Sequence, residues 1–194
     1  MSLIVTDINL TNCQSSRYDL ALFSSGYEAR CVHAPKQFET TNISETRVLG
    51  FSQLKSTTQR CENDSYYLDH WHQKPILLSG DDDSEIYRQL CNLSSCMPEE
   101  IRLLVDYSSM SRLWYAAVIN WARFVPRIKS VEIDFIYSIG RYERTLIPMV
   151  INDILAIPGC EGGSLRFTKA VAVFGLGFYS MMTHCVWEHL LTRA

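Results

Sequence analysis

The chain has 194 residues, of which 47% are hydrophobic and 20% charged, and its formal net charge is −3. This length builds one sizeable core with a little chain left over. The ordinary charged fraction excludes a disordered polyelectrolyte, and the slight acidity excludes a broadly basic nucleic-acid surface while leaving room for a local basic pocket.

Residues 18–24 (YDLALFS) form a short apolar run ending at Ser24-Ser25-Gly26. Such a run predicts a strand buried on both faces. Residues 27–38 are expected to form a helix that Pro35 limits or kinks. Residues 47–51 (RVLGF) give a second strand, and 52–74, polar and without a clear period, read as irregular or helical. Residues 75–79 (PILLS) give a third strand, followed by a helix to about 93 that Asp83 or Ser84 caps. Residues 101–105 (IRLLV) give a fourth strand and 106–111 a polar turn. Residues 112–124 (RLWYAAVINWARF) predict a helix apolar almost all round, and so covered on most sides. Residues 131–137 (VEIDFIY) give a fifth strand. The stretch 146–157 reads as either helix or strand, 170–174 (AVAVF) as a sixth strand and 179–191 as a helix.

Strands alternating with helices imply parallel β units joined by right-handed crossovers. The expected fold is an α/β Rossmann-like three-layer sandwich with a mostly parallel sheet of about five strands in the order 3-2-1-4-5. Ligands of such sheets bind beyond the carboxyl ends of the strands, where strand order reverses.

Residues 21–38 and 172–189 align at one constant offset, with Ala21/Ala172, Phe23/Phe174, Gly26/Gly177 and His33/His184 identical. One reading is an internal repeat, so that 1–160 is a ligand-binding domain and 161–194 begins a second similar unit. The other is that any two strand–glycine–helix units look this alike.

Seven cysteines form no CxxC pair, and the opening MSLIVTDINL lacks the regions of a signal peptide. The thiols are expected to be reduced and the chain cytoplasmic. The longest apolar run, 113–125, contains Asn120 and Arg123 and is too short to span a membrane. His70-x-His72 near Asp69 and Cys61 completes no metal spacing, so neither metal nor cofactor is expected.

Three polar motifs follow strands. The first is Ser24-Ser25-Gly26-Tyr27-Glu28-Ala29-Arg30. Its glycine permits close backbone approach, and its hydroxyls and backbone N–H groups suit an anion. Glu28 and Arg30 are either ligand contacts or a capping acid and a solvated cation. The second is Asp106-Tyr107-Ser108-Ser109-Met110-Ser111-Arg112. Capping by Asp106 or Ser108 needs only one such residue. An acid, three serines and an arginine together point to a phosphate-bearing ligand, with Arg112 binding it bidentately. The third, around Arg141 and Arg144 with Tyr142 between, suits an anion carrying a base, or a surface loop. No GxSxG or P-loop is present.

Two strands that each end in a small polar loop, Ser24-Ser25-Gly26 and Asp106 to Arg112, make residues 18–137 resemble the CRISPR-associated Rossmann-fold (CARF) sensor domains. The usual glycine-glycine-threonine turn and lysine of that family are replaced by Ser108-Ser109-Met110 and Arg112. The resemblance implies a sensor of prokaryotic antiviral defence or signalling. It would bind a nucleotide or oligonucleotide second messenger through Ser24, Ser25, Gly26, Glu28, Asp106, Ser108, Ser109, Arg112 and Arg141, and form a homodimer. The same layout resembles TIR-like and nucleoside-deoxyribosyltransferase-like enzymes, in which Glu28 would act at a ribosyl centre. A protein-interaction scaffold without a small ligand is the third reading.

Overall fold

The computed structural model describes residues 3–53, 56–94, 100–124, 130–140, 156–159, 173, 184 and 186–188. Among these are five strands: β1 (Tyr18–Ser25), β2 (Ile43–Phe51), β3 (Ile76–Leu78), β4 (Glu100–Asp106) and β5 (Ser130–Ile136). All pair in parallel, in the order β3-β2-β1-β4-β5. The expected class, the first five strands and their order are therefore found.

β1 explains the three layers. Leu20 and Leu22 enter one core cluster and Ala21 and Phe23 the other, so successive side chains feed opposite faces. One face is covered by α3 (Ser84–Ser94) and α4 (Arg112–Phe124), which bring Ile86, Leu90, Trp114, Val118 and Trp121 onto Leu49, Leu103 and Val105. The other is covered by α1 (Leu10–Ser15), α2 (Thr58–Trp71) and the single-turn 3-10 helices Ala29–Val32, Pro35–Gln37 and Thr40–Asn42. These bring Cys13, Cys31, Phe38, Tyr67 and Trp71 onto Val48 and Leu104. The chain runs outward through β1, β2 and β3, then returns to the other side of β1 as β4 and β5. Strand order thus reverses between β1 and β4.

Several local expectations differ from the structure. The helix expected over 27–38 is broken into 3-10 turns, with Pro35 opening the second. β2 begins at Ile43, ahead of the apolar RVLGF, because Ile43 anchors in the α1–α2 core. Of the two readings of 52–74, irregular or helical, the helical one holds as α2, and α1 lies in a stretch with no element expected. Asp83 holds the position before α3, its carbonyl accepting the Ile86 N–H at 3.0 Å, while the Asp82 carboxylate accepts the Ser84 N–H at 3.0 Å. α4, by contrast, is covered on most sides as expected and keeps one open stripe. Arg112, Ile119 and Arg123 fall on one solvent stripe at helical spacing, leaving Ile119 47% exposed.

The chain divides into two compact units, 1–141 and 142–194. Of the second, 156–159 include a turn at Gly159 (φ 80°), and His184, Val186, Trp187 and Glu188 are helical. The rest of the stretches 146–157, 170–174 and 179–191 lies outside the described residues, Val173 apart, and with it the suspected repeat.

Candidate functional site

The carboxyl end of β1 is held by a polar stripe of α2. Arg60, Asn63, Asp64 and Tyr67 lie at spacings of three and four residues, and so on one helical face. Asn63 Nδ2 donates to the Gly26 carbonyl at 2.9 Å and to the Glu28 carbonyl at 3.1 Å. Tyr67 Oη donates to the Cys31 carbonyl at 2.6 Å. Ser25 Oγ donates to Asp64 Oδ1, which also accepts from Arg60 Nε at 2.7 Å. Arg60 is fully buried, and its Nη1 donates to the Phe51 carbonyl at 2.8 Å. The loop after β1 is therefore fixed from below by buried hydrogen bonds. Ser24 is buried as well, and by alternation its side chain lies on the α3–α4 face. Of this first motif, Ser24, Ser25 and Gly26 are all buried, and Tyr27 is the first exposed residue.

The end of β4 is built differently. Asp106 is only 1% exposed. Its Oδ1 accepts the Ser108 backbone N–H at 3.0 Å and the Ser108 hydroxyl. Its Oδ2 is buried without a partner among the described residues. Burial pushes this carboxyl up to about 6, against the two Ser108 hydrogen bonds and the positive charges of Arg30 and His33, which hold it down. Ser108 Oγ in turn accepts the Ser138 N–H at 2.7 Å, tying β4 to the residues after β5. The cap of α4 is Ser111, whose Oγ accepts the Trp114 N–H at 3.3 Å. Helix capping therefore accounts for neither Asp106, Ser108 nor Ser109.

The two loops meet where strand order reverses. A Cβ added to Gly26 would lie 3.4 Å from Ser109 Cβ, 3.8 Å from Ser109 Oγ and 3.9 Å from Phe51 Cε2. The Phe51 ring continues to Gly80, where an added Cβ would lie 3.2 Å from Cε1. Ser109 Oγ is buried and unpaired among the described residues. Arg112, exposed at the first turn of α4, makes no ion pair or side-chain hydrogen bond among them. A cation at a helix N-terminus opposes the dipole by roughly 0.3–1 kcal/mol, so this position favours an anion near it.

Glu28 holds the N-cap position of Ala29–Val32 without a side-chain capping bond, and Arg30 is largely buried rather than solvated. Arg30 Nε donates to Glu28, its Nη1 donates to Tyr137 Oη at 2.8 Å, and its guanidinium lies 5.3 Å from the Tyr137 ring centre. Beside them a cavity of 810 Å³ opens at the carboxyl end of β5, lined by Arg30, His33, Tyr137, Ser138 and apolar residues including Leu10 and Ile139. That volume lies within the roughly 300–1,000 Å³ range of small-molecule sites. Arg141 and the third polar motif beyond it lie outside the described residues.

The structure thus brings Gly26, Ser109 and the start of α4 together, sets Asp106 and Ser108 beneath them, and places the Glu28–Arg30 pair toward β5. Sequence reasoning missed the α2 stripe, Phe51 and Tyr137. The spacing of Arg60, Asn63, Asp64 and Tyr67 was the available signal for the stripe. Among the described residues, no three metal-ligating side chains converge and no helix is long and apolar enough to cross a membrane. Comparison with protein-family models, with curated proteins and with solved structures finds no match.

Proposed function

We propose that this chain binds an anionic, nucleotide-type ligand at the carboxyl edge of its sheet and acts as a sensor or regulatory domain. The observation that supports this most is the contact of Gly26 with Ser109 at the strand-order reversal, three residues before Arg112, which is unpaired among the described residues. Open α/β sheets take their ligands at that point. A hydroxyl and a guanidinium that are unpaired among the described residues suit a phosphate. Glu28, which an enzyme acting at a ribosyl centre would use, has its carboxylate bonded to Arg30, which favours binding over turnover. The resemblance to CARF domains adds cyclic and linear oligonucleotides to the ligands to test, and a defence or signalling role with a homodimer as the setting.

The test is a melting-temperature titration with nucleoside phosphates, NAD and cyclic oligonucleotides, with product analysis of each mixture. A ligand at 100 times its Kd stabilises by about 2.7 kcal/mol, and a sensor leaves it intact. Arg112→Ala should weaken binding by about 1.5–3 kcal/mol, the range for hydrogen bonds to charged groups, without unfolding the free protein. Arg112→Lys should restore only part, because the planar fork is lost. Turnover abolished by Glu28→Gln would favour an enzyme. Wild-type affinity in Arg112→Ala would refute the proposed site, and absence of any response would leave the scaffold reading.

A further inference from the structure

The 810 Å³ cavity at the carboxyl end of β5 is lined unevenly. One wall is aliphatic, made by Ile8 ahead of α1, Leu10 at its start, and Ile136 and Ile139 at the end of β5 and beyond it. Ile8, Leu10 and Ile139 are 40%, 39% and 87% exposed. Aliphatic side chains left open around one cavity form the contiguous apolar surface that marks a binding site. The charged groups have one sign: among the described lining residues Arg30 and His33 are basic and none is acidic. Arg30 is a fixed cation, bonded to Glu28 and to Tyr137 Oη at 2.8 Å. His33 is exposed, and its ring makes no hydrogen bond or ion pair among the described residues. An imidazole N–H is thus available to an acceptor in the cavity. The wall beside it is pinned, because the Ser138 N–H donates to Ser108 Oγ at 2.7 Å, so little further ordering is needed on binding. Aliphatic walls disfavour a sugar or a polyphosphate, whose polar groups would lose water without replacement. A carboxylate, with one charge, costs less to take from water than a phosphate with nearly two.

We infer that this cavity is a second site, taking a small aliphatic molecule that ends in one carboxylate, with its chain against Leu10 and Ile136 and its head at His33 and Arg30. Gly26, Ser109 and Arg112 do not line it, and the inference does not rest on the nucleotide reading above.

The experiment titrates decanoate, octanoate and decan-1-ol into the protein by isothermal titration calorimetry, each below its micelle or solubility limit. Decanoate should bind about ten- to a hundredfold more tightly than decanol, the gain from hydrogen bonds to a charged head. It should bind about fifteenfold more tightly than octanoate, at about fourfold for each buried methylene. His33→Ala should weaken decanoate and leave decanol unchanged. Leu10→Asp sets an acid in the aliphatic wall at an exposed position and should weaken all three. Arg112→Ala should leave decanoate affinity unchanged, which separates this site from the nucleotide one. Melting curves establish that each variant is folded, and the wild-type comparisons need no variant. The inference falls if decanoate does not bind, if decanol binds as tightly, or if the two chain lengths bind equally. It also falls if Leu10→Asp leaves decanoate affinity intact or Arg112→Ala lowers it, since the ligand then lies elsewhere. AMP binding, measured separately, is untouched by any of these results.

Discussion

Asp106→Asn offers a quantitative check on the buried acid beneath the site. In the fold its carboxyl is raised from 3.8 to about 6 because burial disfavours the charged form. The native state therefore holds this proton more tightly than the unfolded chain does. Between about pH 4 and pH 6 the native state binds more protons, so the contribution of Asp106 to stability falls as pH rises through that window and levels off above it. The difference between 3.8 and about 6, at 1.36 kcal/mol per pH unit, amounts to about 3 kcal/mol. Asparagine keeps an oxygen for the Ser108 N–H and hydroxyl but does not titrate. The stability of the variant relative to the wild type should thus shift in the variant's favour by about 2.4 kcal/mol between pH 4 and pH 7.5, the remainder lying below pH 4. Urea unfolding of both proteins at pH steps across this range measures it, and other titrating groups cancel in the comparison. A gap that stays constant, or moves in favour of the wild type as pH rises, would refute the reasoning and give Asp106 a stabilised charge in the fold.

Asn63→Ala removes the bonds to the Gly26 and Glu28 carbonyls. It should cost about 1–3 kcal/mol in chemical denaturation and weaken AMP binding as the loop loosens; unchanged affinity would separate loop order from the site. Gly50→Ala places a Cβ 2.4 Å from Arg60 Nη2 and 2.9 Å from Pro75 Cβ. Arg60 is pinned by Asp64 and the Phe51 carbonyl, so the clash should destabilise by about 1–3 kcal/mol, and a neutral result would show that Arg60 can move. Ser108→Ala leaves the buried Ser138 N–H without its acceptor. It should also raise the Asp106 carboxyl further, extending the falling part of its pH–stability curve upward.

The strands could be read in the sequence because a strand buried on both faces is written as a continuous apolar run, as in YDLALFS and IRLLV. Their order then followed from the alternation of elements and the handedness of crossovers. α2 was hidden for the converse reason. Its buried positions, Arg60, Asn63, Tyr67 and Trp71, are half polar, so no apolar period marks the face. The serines were harder still. Ser25, Ser108 and Ser109 look alike in sequence, yet Ser25 is bonded to Asp64 and Ser108 links Asp106 to Ser138, while the Ser109 hydroxyl has no partner among the described residues. The pairing of Arg30 with Tyr137 crosses 107 positions of chain, and no local pattern announces it.

The most direct test of the central claim is to map the backbone amide shifts of the labelled protein on titration with AMP. Binding at the carboxyl edge predicts progressive shifts at Gly26, Tyr27, Ser109, Met110 and Arg112, with Ile43, Glu100 and Ser130 at the opposite edge of the sheet unmoved. Shifts centred on the amino edge or on the outer face of α3, with Gly26 and Ser109 unchanged, would contradict the account.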